Sequence, residues 1–229
     1  MPLDPDTLDQ LLDTVGGFVR ERLVPLEAEV AEADAIPEAV KREIREMGLF
    51  GLSIPEAYGG LGLTMEEEVR VAFELGHTSP AFRSLIGTNN GIGSQGIVMD
   101  GTEAQKQAYL PRLATGELIS SFALTEPEAG SDAAALRTTA RADGDGFVLN
   151  GTKRYITNAP HAGLFTVFAR TEDPDRPAGS ITAFLVEAGT PGLSVGPVDR
   201  KMGQSGSHTA DVVFQDCRVP ASAVLGGRL

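Results

Sequence analysis

Two stretches in mid-chain, Phe122 to Asp132 (FALTEPEAGSD) and Asn150 to Asn158 (NGTKRYITN), combine residue types that can hold a flavin nucleotide. Gly130 precedes Ser131-Asp132 and the Ala-rich stretch Ala133 to Leu136. That is the composition of a loop running into a short helical turn, which offers free amides to a phosphate and so suits a pyrophosphate. Thr125 and Thr157, each near the end of a strand-like run, can bring hydroxyls to the edge of a heteroaromatic ring, and Tyr155 can cover its face. Alternating Thr and Tyr are also good strand formers, so residue chemistry alone leaves a flavin seat and a plain pair of strands both open.

Other patterns lead elsewhere and fail on context. Gly91-Ile92-Gly93-Ser94-Gln95-Gly96 matches the GxGxxG fingerprint, but it follows Thr88-Asn89-Asn90 in a helical region rather than a buried strand. Its small residues fit better with a helix approaching another element closely. Gly203 to Ser207 (GQSGS) misses the nucleophile elbow at its last position. His77, His161 and His208 lie far apart without ligand spacing, so no metal site is expected. The run Glu66-Glu67-Glu68 reads as a solvated face. Cys217, with no His beside it in sequence, reads as a core or edge thiol.

Composition narrows the class. With 41% hydrophobic and 22% charged residues and no apolar run of bilayer length, the chain reads as soluble and globular, with no membrane insertion. Nineteen basic residues against 32 acidic give a net charge of -13, which disfavours nucleic acid and anionic membrane surfaces. The start MPLDPDTLDQ carries no signal or transit pattern, and the single cysteine forbids an internal disulfide. A cytoplasmic address is expected.

The elements that must position the two segments follow from periodicity. Leu8, Leu11, Leu12, Val15, Phe18, Val19, Leu23 and Leu26 keep i+3/i+4 spacing and predict a core-facing helix. Capping boxes are expected at Thr7/Gln10, Thr64/Glu67 and Thr102/Gln105. A further helix is expected from Pro37 to near Gly48, and a structured loop over Ser53 to Gly62. From Leu118 the pattern changes to short β-branched runs: ISSFALT, GFVLNG, RYIT, LFTVFAR, ITAFLVE, LSVG and ADVVFQDCRVP. Asn150-Gly151 predicts a two-residue hairpin turn. The expected fold class is α+β: an all-α helical domain over residues 1–117, then an antiparallel β-barrel or sandwich domain over residues 118–229.

Over essentially its whole length the chain resembles the acyl-CoA dehydrogenase family. Ala123 to Asp132 is similar to the family signature and Gly151 to Asn158 to its second flavin segment. Ile54 to Gly62, Gly101 to Leu110, Lys201-Met202-Gly203 and Val219-Pro220 occur in the family's order. The resemblance implies FAD as cofactor, held by Phe122, Leu124, Thr125, Gly130, Ser131, Tyr155, Ile156 and Thr157. Ser131 would also meet the acyl-CoA substrate, and the helix around Gly91 to Ile97 would flank the acyl pocket. Tyr155 stands where the family often has Trp.

The implied reaction is α,β-desaturation of an acyl-CoA thioester: a carboxylate takes the α proton and the β hydrogen leaves as hydride to the flavin. In the family that glutamate lies in a carboxy-terminal helical domain, and none of these 229 residues is assigned the role, so no catalytic residue is expected. The expectation is a two-domain portion of such an enzyme, inactive alone. The alternatives are a subunit of a hetero-oligomeric dehydrogenase or a non-catalytic flavin or acyl-CoA binding module. An exposed apolar face should lead it to a homo-oligomer or a helical partner chain. A protein electron acceptor would take electrons from the flavin.

Overall fold

The computed structural model describes residues 2–172 and 180–227. The first helix, α1 (Pro5–Phe18), is capped by Asp4, whose carboxylate accepts from the Thr7 amide, with Pro5 at the first helical position. This replaces the expected Thr7/Gln10 box, because an acceptor three residues upstream reaches the first free amides and leaves Thr7 inside the helix. The apolar stripe continues past α1 through a π turn at Val19–Leu23 and a 3₁₀ turn at Val24–Leu26, where Pro25 has no N–H to give. Then come α2 (Glu27–Ala33), α3 (Glu38–Glu46), α4 (Met65–Leu75), α5 (Pro80–Asn90), α6 (Gln95–Asp100) and α7 (Glu103–Ala114). Both capping boxes expected at Thr64/Glu67 and Thr102/Gln105 are formed.

After α7 the chain becomes strand: β1 (Ser120–Ala123), β2 (Thr139–Asp143), β3 (Gly146–Thr157), β4 (Leu164–Thr171), β5 (Ser180–Glu187), β6 (Leu193–Val198) and β7 (Thr209–Pro220). They form one sheet in the order β1-β4-β2-β3-β7-β6, with β5 beside β4. The sheet is mixed and not purely antiparallel, since β1 and β2 both run parallel to β4. Hairpin signals report only consecutive strands. The chain between β1 and β4 is long enough to return in the same direction, as a parallel pair requires.

Asn150-Gly151 lies inside β3 and is not a hairpin turn, because both halves of β3 pair with β7: Leu149 opposes Cys217 and Gly151 opposes Phe214, so that Gln215 and Asp216 of β7 bulge against Asn150. The β2–β3 turn falls instead at Asp143 to Gly146, with Gly144 at φ 62°. Gly151 is needed for space: a Cβ there would stand 2.4 Å from Thr138 Oγ1.

One core lies among the helices around Val15, Leu23, Ile44, Phe50, Val71 and Phe82, and another on the sheet around Phe165, Phe184, Val212, Phe214 and Cys217. A third cluster, with Ile97, Leu113, Leu164 and Leu185, joins α6 and α7 to β4 and β5. Polar contacts complete the junction. Asn89, fully buried, donates to the Leu113 and Leu118 carbonyls and accepts from the Ser120 amide at 2.9 Å. The small residues after α5 serve the same packing, since a Cβ at Gly93 would stand 2.0 Å from Ser120 Oγ. Among the described residues no helix is long and apolar enough to cross a membrane.

Candidate functional site

Strand β4 has β5 along one edge, so β1 and β2 share the other, β1 beside residues 164–167 and β2 at Arg170. The segment 124–138 leaves the sheet between them. Its anchor is Glu126, whose carboxylate accepts from the Arg137 amide at 2.5 Å, the Thr138 amide at 2.9 Å, the Thr138 hydroxyl at 2.6 Å and Lys153 Nζ at 2.7 Å. Lys153 Nζ also donates to the Leu124 carbonyl at 3.1 Å. Burial works against the Glu126 charge, but the donors from Lys153, Thr138 and Arg137 outweigh it and hold the carboxyl below its ordinary value.

A bulge in β3 itself decides which residues face outward. Lys153 pairs with Val212 and Ile156 with Ala210, so Arg154 and Tyr155 together oppose Asp211. Tyr155 takes φ 58°, uncommon for a residue with a side chain. The turn breaks the simple alternation of the strand: Lys153 points inward, Tyr155 is 59% exposed and Ile156 is buried again. The Arg154 amide donates to the Thr125 carbonyl at 2.8 Å, and Ser121 Oγ to the Thr157 carbonyl at 2.7 Å. The ends of β1 and β3 are thus stitched side by side.

This stitching gathers Leu124 and Thr125 with Tyr155 and Thr157. Phe122 is half-buried with its ring tilted on Phe168 at 4.9 Å, while Gly130 and Ser131 are exposed in the turn beyond Glu126. The Ile156 side chain belongs to the sheet core, so its main chain alone can face a ligand. Among the described residues, the hydroxyls of Thr125, Ser131 and Thr157 make no hydrogen bond, and nothing lies within 4 Å of a Cβ built on Gly130. Free hydroxyls beside an exposed aromatic ring, with an open glycine turn nearby, are a donor set that fits a flavin nucleotide.

Three anchoring residues escaped the sequence reading. Lys153 and Thr138 lack any local signature, because their partner Glu126 is 27 and 12 residues away. Asn158, at φ 62°, donates to the Ser84 carbonyl and to Thr88 Oγ1 and ties the end of β3 to α5. Its place after Thr157 was visible, but not its target.

The junction also carries the histidines. His208 Nε2 lies 2.6 Å from the Asp34 carbonyl and His161 Nε2 lies 2.8 Å from His208 Nδ1. A carbonyl can only accept, so His208 carries a hydrogen on Nε2 and donates it to Asp34, whose carboxylate also lies 3.6 Å away. Burial, then neighbouring His208, pushes His161 below its ordinary value. Among the described residues no group of three or more His, Cys, Asp or Glu could hold a metal ion.

Residues 5–117 match the family model described as "Acyl-CoA dehydrogenase, N-terminal domain", and residues 121–217 match "Acyl-CoA dehydrogenase, middle domain". The acryloyl-CoA reductase (NADH) of Anaerotignum propionicum is 42% identical over 91% of this chain and 53% of its own length. A solved glutaryl-CoA dehydrogenase from Mycobacterium smegmatis in complex with FADH2 is 35% identical, with a TM-score of 0.87 over 99% of this chain and 56% of that one. An electron transferring flavoprotein structure from Acidaminococcus fermentans, studied for flavin-based electron bifurcation, is 36% identical, with a TM-score of 0.90 over 99% of this chain and 59% of that one. This chain therefore spans a little over half the length of each of these proteins.

Proposed function

The chain belongs to the acyl-CoA dehydrogenase family, whose cofactor is FAD, and we propose that its two paired segments seat that FAD for oxidation or reduction between the α and β carbons of an acyl-CoA. The observation that carries this is the stitching of Thr125 beside the Tyr155–Thr157 end of β3, with the hydroxyls of Thr125 and Thr157 unengaged and Tyr155 exposed, within the family's signature segments. When bound, FAD supplies the acceptor for a hydride from the substrate. Thr125 and Thr157 would hold the polar edge of the ring, Tyr155 would cover a face, and Gly130 and Ser131 would hold the pyrophosphate, with Ser131 also meeting the acyl-CoA. Phe122, Leu124 and the main chain of Ile156 would complete the wall.

Proton abstraction is assigned to none of the carboxylates near this seat. Glu126 is committed to Lys153 and Thr138, and Glu128 is paired with Arg137 at 2.7 Å. Loss of a general base costs about 10²- to 10⁴-fold in rate, so this chain alone should bind flavin and turn over slowly if at all. The division into a helical unit, 1–117, and a β unit, 118–229, belongs to the same reading, supported by the end of α7 at Ala114 and the start of β1 at Ser120. So do a cytoplasmic address, a second protein surface and an electron acceptor. For the surface, Met65, Val69 and Phe73 are 75%, 44% and 70% exposed along one face of α4. Similarity to an electron transferring flavoprotein structure supports the acceptor.

Similarity to an NADH-dependent acryloyl-CoA reductase favours a second direction, reduction of an enoyl-CoA. Both directions are read in one experiment: the anaerobic visible spectrum of the FAD-loaded chain, before and after short, medium and long acyl-CoAs, and after photoreduction with acryloyl-CoA. The expected result is bound flavin that stays oxidised with acyl-CoA. Bleaching would place a base within these residues, and failure to bind FAD at all would overturn the flavin seat.

A further inference from the structure

Lys153 is the only fully buried base among the described residues, and the flavin seat just proposed gives it no contact with a ligand. Placing an ammonium out of water is costly, and a well-packed apolar pair of the same volume often stabilises a fold as well or better. What an ion pair adds is direction. Lys153 Nζ divides its bonds between the Glu126 carboxylate and the Leu124 carbonyl, and Glu126 uses its remaining acceptor positions on the Arg137 and Thr138 main chain. Lys153 also stands immediately before the bulge that turns Tyr155 outward, and the Arg154 amide fixes the Thr125 carbonyl. The main chain of the β1 end, the entry to β2 and the bulge of β3 therefore meet at one pair of charges.

We propose that Glu126 and Lys153 are positioning residues for the flavin, resting on the reading above: they hold Leu124 and Thr125 against Tyr155 and Thr157 so that the ring meets a preformed edge. Preforming that edge removes the ordering cost that binding would otherwise carry. Neither side chain reaches the ligand. Gly151 serves the same end by letting β3 pass close over Thr138, and Thr138 closes the ring of contacts through Glu126.

The test separates position from stability. FAD affinity is measured by flavin fluorescence on the whole chain, wild type and three variants, with ADP as a probe lacking the ring. Lys153→Met leaves Glu126 buried and unpaired. In Glu126→Gln/Lys153→Met the charges are gone; the single carboxamide oxygen can still accept from the Thr138 amide, while the Arg137 amide loses its acceptor. Thr138→Val is isosteric and removes one donor. The expected result is that the double variant, with no bare charge, melts well above Lys153→Met yet binds FAD about 10- to 100-fold more weakly than the wild type, on the scale of other groups that orient a binding residue. Its ADP affinity should be unchanged and its bound-flavin band shifted. Thr138→Val should weaken FAD by a smaller factor with the same selectivity, and it carries the test if the double variant fails to fold. Wild-type FAD affinity in whichever of the two folds, or equal loss of FAD and ADP, would overturn the positioning role. A wild-type chain that leaves the FAD spectrum unchanged would instead sink the flavin reading, and this role with it.

Discussion

The Glu126–Lys153 anchor inside the sheet and the His161–His208–Asp34 contact between sheet and helices solve the same problem, joining distant backbone segments, with opposite chemistry. The anchor is a dry ion pair, its side chains 6% and 0% exposed, with the donors converging on one carboxylate. The junction is a pair of hydrogen-bonded imidazole rings ending on a main-chain carbonyl, with the Gly206 amide held by Asp34 Oδ1 at 2.6 Å. A desolvated pair is rigid because moving either partner leaves a bare charge. A histidine relay holds one pattern of donors and acceptors only while the count of protons suits it.

The largest difference should come from removing one partner of each. Lys153→Met is expected to cost about 3–5 kcal/mol in urea unfolding, the usual penalty for stranding a buried charge. A loss under about 1 kcal/mol would mean the anchor is wetter than its burial indicates. Gly151→Ala attacks the anchor from the backbone, adding a methyl group 2.4 Å from Thr138 Oγ1 at φ 152°. About 1–3 kcal/mol is expected by the same measurement. Neutral behaviour would show that Thr138 can step aside. His208→Leu, which removes both ring bonds of the relay, should cost only about 1–2 kcal/mol. A cost matching that of Lys153→Met would erase the distinction between the regions.

Acidification sharpens the comparison without mutation. His161 is held below its ordinary 6.5, so the fold favours its neutral ring. Its stability contribution is full above that value and is lost as pH falls through the lower folded value. Glu126 is held below 4.5, so its contribution lasts to more acid conditions and disappears below that. Hydrogen exchange, corrected for intrinsic rates, should therefore quicken first at the Gly206 amide as pH falls below 6.5, and at the Thr138 amide only as it falls well below 4.5. Simultaneous loosening would show that the junction and the anchor open as one unit.

Much of this was legible because it is local. Thr64 and Thr102 cap their helices through residues three positions on, and the apolar stripe from Leu8 to Leu26 faces inward even though Pro25 converts its end to π and 3₁₀ turns. Strand β2 went unread, since Thr139 to Asp143 is polar and exposed at its tip. Asn150-Gly151 was misread because a glycine serves a tight turn and a close backbone approach alike: Gly151 makes room for Thr138, and only the pairing of both halves of β3 with β7 shows that the chain does not turn there.

The amino-acid sequence by itself determined the helical first half, the strand-rich second half and the two segments whose residue types suit a flavin, because caps, periodicity and motif order act over a few residues. Tertiary structure alone decided that β1 and β2 run parallel to β4, that Lys153 turns inward while Tyr155 turns out, and that Asn158 reaches α5. Each depends on partners far along the chain, and burial, which sets the strength of a charge or a hydrogen bond, exists only once those partners have met.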